Sequence, residues 1–276
     1  MRLYRSIKYQ FIILLLIVIF IRTNYWKIHH TLSEDSFSPW MDIREQMLII
    51  KHLTQFKQIN KRLSVMLEYG AGGSTFTLSK YVDRYISIEH DLNYCRICER
   101  IAISQPNRTI TISYMKMNGS NLIEFDRFKQ ISHDPTIEIY CIPPDEHLTM
   151  FQRIFQRPKR STYSMYRNYV DFVSIYLPDE LFDFVLIDGR ARPQTAYQIL
   201  KQLNGQNAKV FVHDWNHRRD YHVITDEFYD IIDQQIRSTQ PGGGGLVVLH
   251  KKFEVTGQEN IDQIQWKHHR QPTWWI

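Results

Sequence analysis

Cysteine is scarce. Cys95, Cys98 and Cys141 are all that 276 residues contain. That is too few for a disulfide-built scaffold, and Cys95 and Cys98 have no second CxxC to complete a four-thiolate zinc site. The pair falls inside a helical pattern over 92–103, so small buried thiols are expected there, with one pair able to oxidise in an oxidising lumen. A dominant charge is also missing. Lys and Arg total 34 against 29 Asp and Glu, a net +5, and much of the excess sits at the two ends (Arg2, Arg5, Lys8; Lys267, Arg270). There is no arginine-rich helix and no basic–aromatic repeat, so no nucleic-acid partner is expected. No internal repeat occurs, and Gly242 to Gly245 form the one low-complexity tract. With 43% hydrophobic residues the chain has material for a core and is not disordered as a whole.

One apolar run stands apart, over 11–21, with Arg2, Arg5 and Lys8 before it and Arg22 and Lys27 after it. A membrane-crossing helix needs about 20 residues. The stretch 7–26 reaches that length if Lys8 and Arg22 extend to the interfaces, where Tyr9, Tyr25 and Trp26 also belong. A cleaved signal peptide is the rival, but small residues at a cleavage site are lacking. The expected layout is a cytosolic tail (1–6), a signal-anchor helix (7–26), a short stem (27–40), a globular domain (41–255) and a C-terminal tail (256–276). That is a single-pass type II membrane protein of the endoplasmic reticulum or Golgi with a lumenal body. Asn107-Arg-Thr109 and Asn118-Gly-Ser120 would then be glycosylation acceptors.

In the body, apolar residues at helical spacing (Ile43, Met47, Ile50, Leu53, Phe56) predict an amphipathic helix over 42–61. Strands and helices then alternate: strands over 65–69, 85–89, 182–188 and 209–213, helices over 74–82, 92–103, 193–203 and 221–230. Continuous apolar strands such as Phe184-Val-Leu-Ile187 belong to parallel sheets covered on both faces. An α/β, doubly wound, mostly parallel sheet follows. Segments 231–239 and 246–251 flank Pro241 and the glycines and predict a closing antiparallel hairpin with a tight turn. The middle is a variable insertion or lid over 105–170. Both 109–114 and 137–142 could be the third strand, and 137–142 is preferred, which makes 106–135 an insertion. Arg153, Arg157, Lys159, Arg160 and Arg167 could form a lid over an anionic substrate or a solvated helix and loop.

Val65-Met-Leu-Glu-Tyr-Gly-Ala-Gly-Gly-Ser-Thr75 follows a strand and opens a helix, the context in which a glycine motif has meaning. Gly70 permits the tight turn, and Gly72 and Gly73 allow close approach of backbone N–H groups to a ligand. Thr75 stands where a dinucleotide fingerprint has its third glycine. Glu89 ends the next strand, placed to accept both hydroxyls of a ribose, and Glu68 suits a ligand with an ammonium group. Glu68-Tyr-Gly-Ala-Gly-Gly-Ser-Thr75 with Ile88-Glu-His-Asp91 resembles the S-adenosylmethionine-binding motifs of class I methyltransferases, over roughly 42–252. The resemblance implies that Gly70, Gly72 and Ser74 line the methionine moiety and that Glu89 holds the ribose.

Ligands of doubly wound folds lie beyond the carboxyl ends of the strands. There the chain carries Leu186-Ile-Asp-Gly-Arg-Ala-Arg192 and Val212-His-Asp-Trp-Asn-His-Arg218. The pairing of Asp188 with Asp214 resembles metal-dependent O-methyltransferases, whose acids after the fourth and fifth strands hold a divalent cation. Magnesium or manganese is the implied ion, although the amide ligand of that pattern falls on Trp215, with Asn216 one residue late. Without metal, His213 is the candidate general base. Arg190 and Arg192 could bind an anionic group of the substrate or pair with Glu180 and Asp183. The expected activity is O-methylation of a glycan or small molecule. The alternatives are a methyltransferase-like domain serving an interaction role and a nicotinamide or nucleotide-sugar enzyme.

Overall fold

A computed structural model describes Pro39 and residues 41–105, 107–118, 121–132, 136–145, 163–236, 244–253 and 255. The anchor and its flanks over 1–38, most of the basic lid segment (146–162) and the tail from 256 lie outside the described residues. Among the described residues, no helix is long and apolar enough to cross a membrane.

The described strands form one nine-stranded sheet in the order β4-β3-β5-β2-β1-β6-β7-β9-β8. They are β1 (Val65–Tyr69), β2 (Arg84–Glu89), β3 (Thr109–Asn118), β4 (Asn121–Gln130), β5 (Thr136–Cys141), β6 (Phe184–Ile187), β7 (Lys209–His213), β8 (Tyr229–Gln235) and β9 (Leu246–Lys251). The run β5-β2-β1-β6-β7 is parallel throughout. That is the doubly wound order with β1 at its centre. An antiparallel pair closes one edge, with β9 on β7 and β8 outside it. Both candidates for the third strand are strands. β5 pairs with β2, as preferred, while β3 adds parallel to β5 and turns back into β4. The insertion therefore widens the sheet.

Side chains alternate across each strand, and helices cover both faces. The first helix, α1 (Ile43–Ile59), places Phe56 edge-on against Phe184 of β6, 5.0 Å between ring centres. On the opposite face, Val185, Ile187, Val210 and Val212 pack with α4 (Arg167–Tyr176), α5 (Arg192–Gln198) and α6 (Val223–Glu227). The glycine motif opens α2 (Gly73–Leu78), and α3 (Leu92–Ser104) follows β2. The expected helices over 74–82, 193–203 and 221–230 are shorter, because each contains or borders a 3-10 turn.

Two expectations need correction. The inward stripe of α1 is Glu45, Gln46, Ile49, Leu53 and Phe56, while Ile43 and Met47 are exposed. The expectation holds at Leu53 and Phe56 and fails in the first turns, where two polar side chains take the inward positions. The connection between β8 and β9 is ten residues long, 236–245, not a tight turn. Gly244 and Gly245 serve close packing: a Cβ on Gly244 would collide with Asp214, and one on Gly245 with Asn216. Cys95 is bonded to Cys141, while Cys98 is a free buried thiol, in keeping with buried thiols of which one pair can oxidise.

The disulfide closes a separation of 46 residues between α3 and the end of β5. A loop of that size is worth about 4 kcal/mol in the chain-entropy account. Replacing Cys95 and Cys141 with serine should lower stability by about 2–4 kcal/mol in denaturant unfolding. An unchanged midpoint would rule out the bond.

Candidate functional site

β1 sits between β2 and β6, so the carboxyl ends of these three strands bound a crevice at the switch point of the sheet. Gly70 leaves β1 with φ +103, and a Cβ there would lie 3.0 Å from Gly189 N and 3.1 Å from Asp188 C. Only glycine lets the β1 turn pass so close beneath the β6 turn in that conformation.

The loop is held from below. Glu68 is fully buried and accepts hydrogen bonds from Ser74 Oγ, Thr75 Oγ1 and Ser87 Oγ. Thr75 Oγ1 in turn accepts from Gly72 N at 2.9 Å. The threonine in the third-glycine position thus ties the loop to the strand that launches it. Glu68 and Ser74 were expected to face the ligand; here the Glu68 carboxylate and the Ser74 hydroxyl bind each other under the loop. Burial pushes the Glu68 carboxyl up to about 7, against the lowering effect of its three hydroxyl donors.

Glu89 ends β2, nearly buried. Its Oε1 accepts from His90 N at 2.9 Å and Asp91 N at 2.7 Å, which fixes the carboxylate at the crevice wall. Asp91 caps α3. Tyr94, one turn on, places its hydroxyl 3.6 Å from where a Gly72 Cβ would be. Gly72 and Tyr94 therefore face each other across a narrow space. Gly73 is buried as the first residue of α2. Arg190 is exposed and reaches His90 Nε2 at 3.3 Å, bridging the loops on either side of the glycine turn. Its alternative partners are taken, Asp183 by Arg62 and Glu180 by Arg84.

The ends of β6 and β7 carry a cluster of charges. Asp188, His213 and Asp214 each offer a ligand atom, all within 4.8 Å of one another. Arg192 lies among them, 7% exposed. Its Nη2 is 3.1 Å from Asp188 Oδ1 and 2.9 Å from Asp214 Oδ2. It also donates to the carbonyls of Gly189, His213 and Asp188, and the Tyr221 ring lies 5.3 Å from its guanidinium carbon. Of the two roles the sequence left open for Arg192, the structure shows ion pairing, with Asp188 and Asp214 in place of Glu180 or Asp183. Ala191 and Asp214 are the described non-glycine residues with positive φ, at 47° and 59°. The two strained backbones flank the strand ends that Arg192 joins.

His213 is held from both sides, Nδ1 2.9 Å from Asp188 Oδ1 and Nε2 3.2 Å from Glu45 Oε2. Burial alone would lower its pKa; Asp188, Glu45 and Asp214 outweigh that and raise it to about 10. A ring already carrying both protons at neutral pH cannot take another, which argues against the general-base role. For Asp214, burial is opposed and overcome by Arg192 and His213, which lower its pKa. Glu45 escaped the sequence reading. Asp42-x-x-Glu45 is a capping box in which Glu45 Oε2 accepts from Asp42 N at 2.8 Å, a pattern that normally faces water.

This cluster does not fit a divalent cation. An ion between Asp188 and Asp214 would meet the Arg192 guanidinium. At about 4 Å and an effective dielectric of about 20, that repulsion is roughly 8 kcal/mol.

No protein-family model and no curated protein matches the chain. Among solved structures it is similar to a methyltransferase-like protein from Silicibacter pomeroyi: 17% identity, TM-score 0.49, 77% of this chain and 87% of that one. It is also similar to the N-methyltransferase NodS from Bradyrhizobium japonicum in complex with S-adenosyl-L-homocysteine. There the identity is 14% and the TM-score 0.40, over 83% of this chain and 98% of that one.

The Glu68 environment has a signed consequence. A carboxyl raised from 4.5 to about 7 binds more protons folded than unfolded in that window, so it erodes stability as pH rises through it. Glu68→Gln removes the effect. Unfolding measured from pH 4.5 to 7 should show the variant gaining about 1–3 kcal/mol on wild type. A constant difference would contradict the assignment.

Proposed function

We propose that the chain is a class I S-adenosylmethionine-dependent methyltransferase acting on an oxygen of a glycan or small molecule. The observation that carries this reading is the glycine turn itself. It lies at the switch point between β1 and β6, with Glu89 ending the neighbouring strand, the place from which an acidic residue binds a ribose in such folds. The antiparallel β9–β8 edge supports the same reading over a nicotinamide enzyme. In the reaction the acceptor oxygen attacks the methyl carbon while the carbon–sulfur bond breaks and its electron pair stays on sulfur. The sulfonium becomes a neutral thioether. Asp188 and Asp214, with side chains 21% and 31% exposed, are the groups that accept a hydrogen bond from the acceptor hydroxyl and take its proton as the new bond forms. Positioning of the two reactants supplies most of the rate.

The lumenal placement belongs to the same proposal. The Cys95–Cys141 bond supports it, since disulfides persist in oxidising compartments. Asn107 and Asn118 are both exposed, before β3 and at its far end, where an oligosaccharide would meet no core. Treatment of the cell-derived protein with an N-glycosidase should lower its mass. A chain carrying no glycan and three free thiols would count against a lumenal body.

Calorimetry with S-adenosylmethionine tests the function. Wild type should bind. Gly72→Arg, whose side chain would fill the space opposite Tyr94, should abolish binding, and Glu89→Ala should weaken it roughly 10-fold or more by removing charge-assisted hydrogen bonds. A wild-type chain that shows no binding would overturn the reading.

A further inference from the structure

We propose that this edge of the sheet works without a divalent cation, the buried Arg192 guanidinium serving as the fixed positive charge for Asp188 and Asp214. The statement rests on the methyltransferase reading for the reaction it serves, and on geometry alone for the cation. One nitrogen of Arg192 lies within 3.1 Å of Asp188 Oδ1 and 2.9 Å of Asp214 Oδ2. These are the carboxylates that a metal-dependent transferase would use. The guanidinium is not a flexible surface group that an ion could displace. Nη1 and Nε bond the His213 and Gly189 carbonyls, Nη2 also bonds the Asp188 carbonyl, and Tyr221 covers the group. Moving it aside would strand buried carbonyls and a buried charge together. His213 adds to the packing of the cluster, bonded to Asp188 on one side and Glu45 on the other.

The exchange of ion for side chain bears on the acceptor. A metal site grips an acceptor by chelation through two adjacent oxygens. Carboxylates paired with an internal arginine engage an acceptor through its hydroxyl hydrogen and not by chelation, so an isolated hydroxyl is a sufficient acceptor and a vicinal diol is not required.

Mn2+ is the probe. The purified full chain is titrated with it, bound ion being read by electron paramagnetic resonance and the unfolding midpoint recorded at about 1 mM. An ion-binding site of roughly 10 µM affinity would raise the midpoint by about 5 °C or more. The expected result is no bound ion and no shift, with methyl transfer unaffected by EDTA. Mn2+ binding in wild type that Asp188→Asn abolishes would overturn the proposal, as would loss of transfer in EDTA restored by Mn2+. Arg192→Met, if it folds, should acquire the Mn2+ binding that wild type lacks. Because Arg192→Met removes buried bonds, the wild-type titration decides by itself. S-adenosylmethionine calorimetry on the same sample keeps the two ideas apart. Absent cofactor binding sinks the methyltransferase reading, whatever the manganese result.

Discussion

A buried guanidinium joins the carboxyl ends of β6 and β7, and the candidate site is arranged around it. Arg192 binds three backbone carbonyls and two carboxylates. A buried charge of this kind is tolerated only when partners surround it, and removing any one partner leaves the rest exposed to an unpaired charge. That requirement explains several features at once. Ala191 and Asp214 adopt left-handed backbone conformations beside the group they help enclose. Gly244 and Gly245 lie against the 214–216 turn, where a side chain would collide. Trp215 N and Asn216 N donate to the Gly245 and Gly244 carbonyls at 3.1 and 2.7 Å, so these two glycines hold the start of β9 against the turn carrying Asp214.

The neighbouring half of the edge is built by different means. Under the glycine turn a single buried carboxylate, Glu68, gathers hydroxyls from Ser74, Thr75 and Ser87. Above it Glu89 is locked by the two backbone N–H groups that follow it. The disulfide adds a covalent restraint at this point, since Cys141 is the register partner of Glu89 across the β5–β2 pair. The crevice thus has one wall fixed by backbone and sulfur and another fixed by an internal ion cluster, a rigid frame of the sort that preorganised sites need.

The strands of the central sheet were legible because burial on both faces forces unbroken apolar runs, as in Phe184 to Ile187. The places of Gly70, Glu68 and Glu89 at the strand ends were legible because strand, turn and helix impose their spacing, but the burial of Glu68 beneath the loop was not. What could not be read were contacts between residues far apart in the chain. Glu45 belongs to a capping box, a local pattern that gives no sign of a partner 168 positions away, the His213 that it binds. The role of Arg192 stayed open between anion binding and ion pairing because nothing local tells a buried guanidinium from an exposed one. The partner of Cys95 was hidden for the same reason. Neither the inward residues in the first turns of α1 nor the role of Gly244 and Gly245 follows from periodicity or composition, since both depend on which polar groups the fold turns inward.

The central claim is that the crevice between β2, β1 and β6 holds the cofactor with its reacting end toward Asp188 and Asp214. A structure of the chain with S-adenosyl-L-homocysteine bound tests this most directly. The account predicts the ribose hydroxyls on Glu89, the homocysteine portion along the Gly70 to Gly72 turn, and the sulfur facing the Asp188–Asp214 edge with Arg192 still between the two carboxylates. A ligand bound elsewhere, or a ribose that does not touch Glu89, would contradict it.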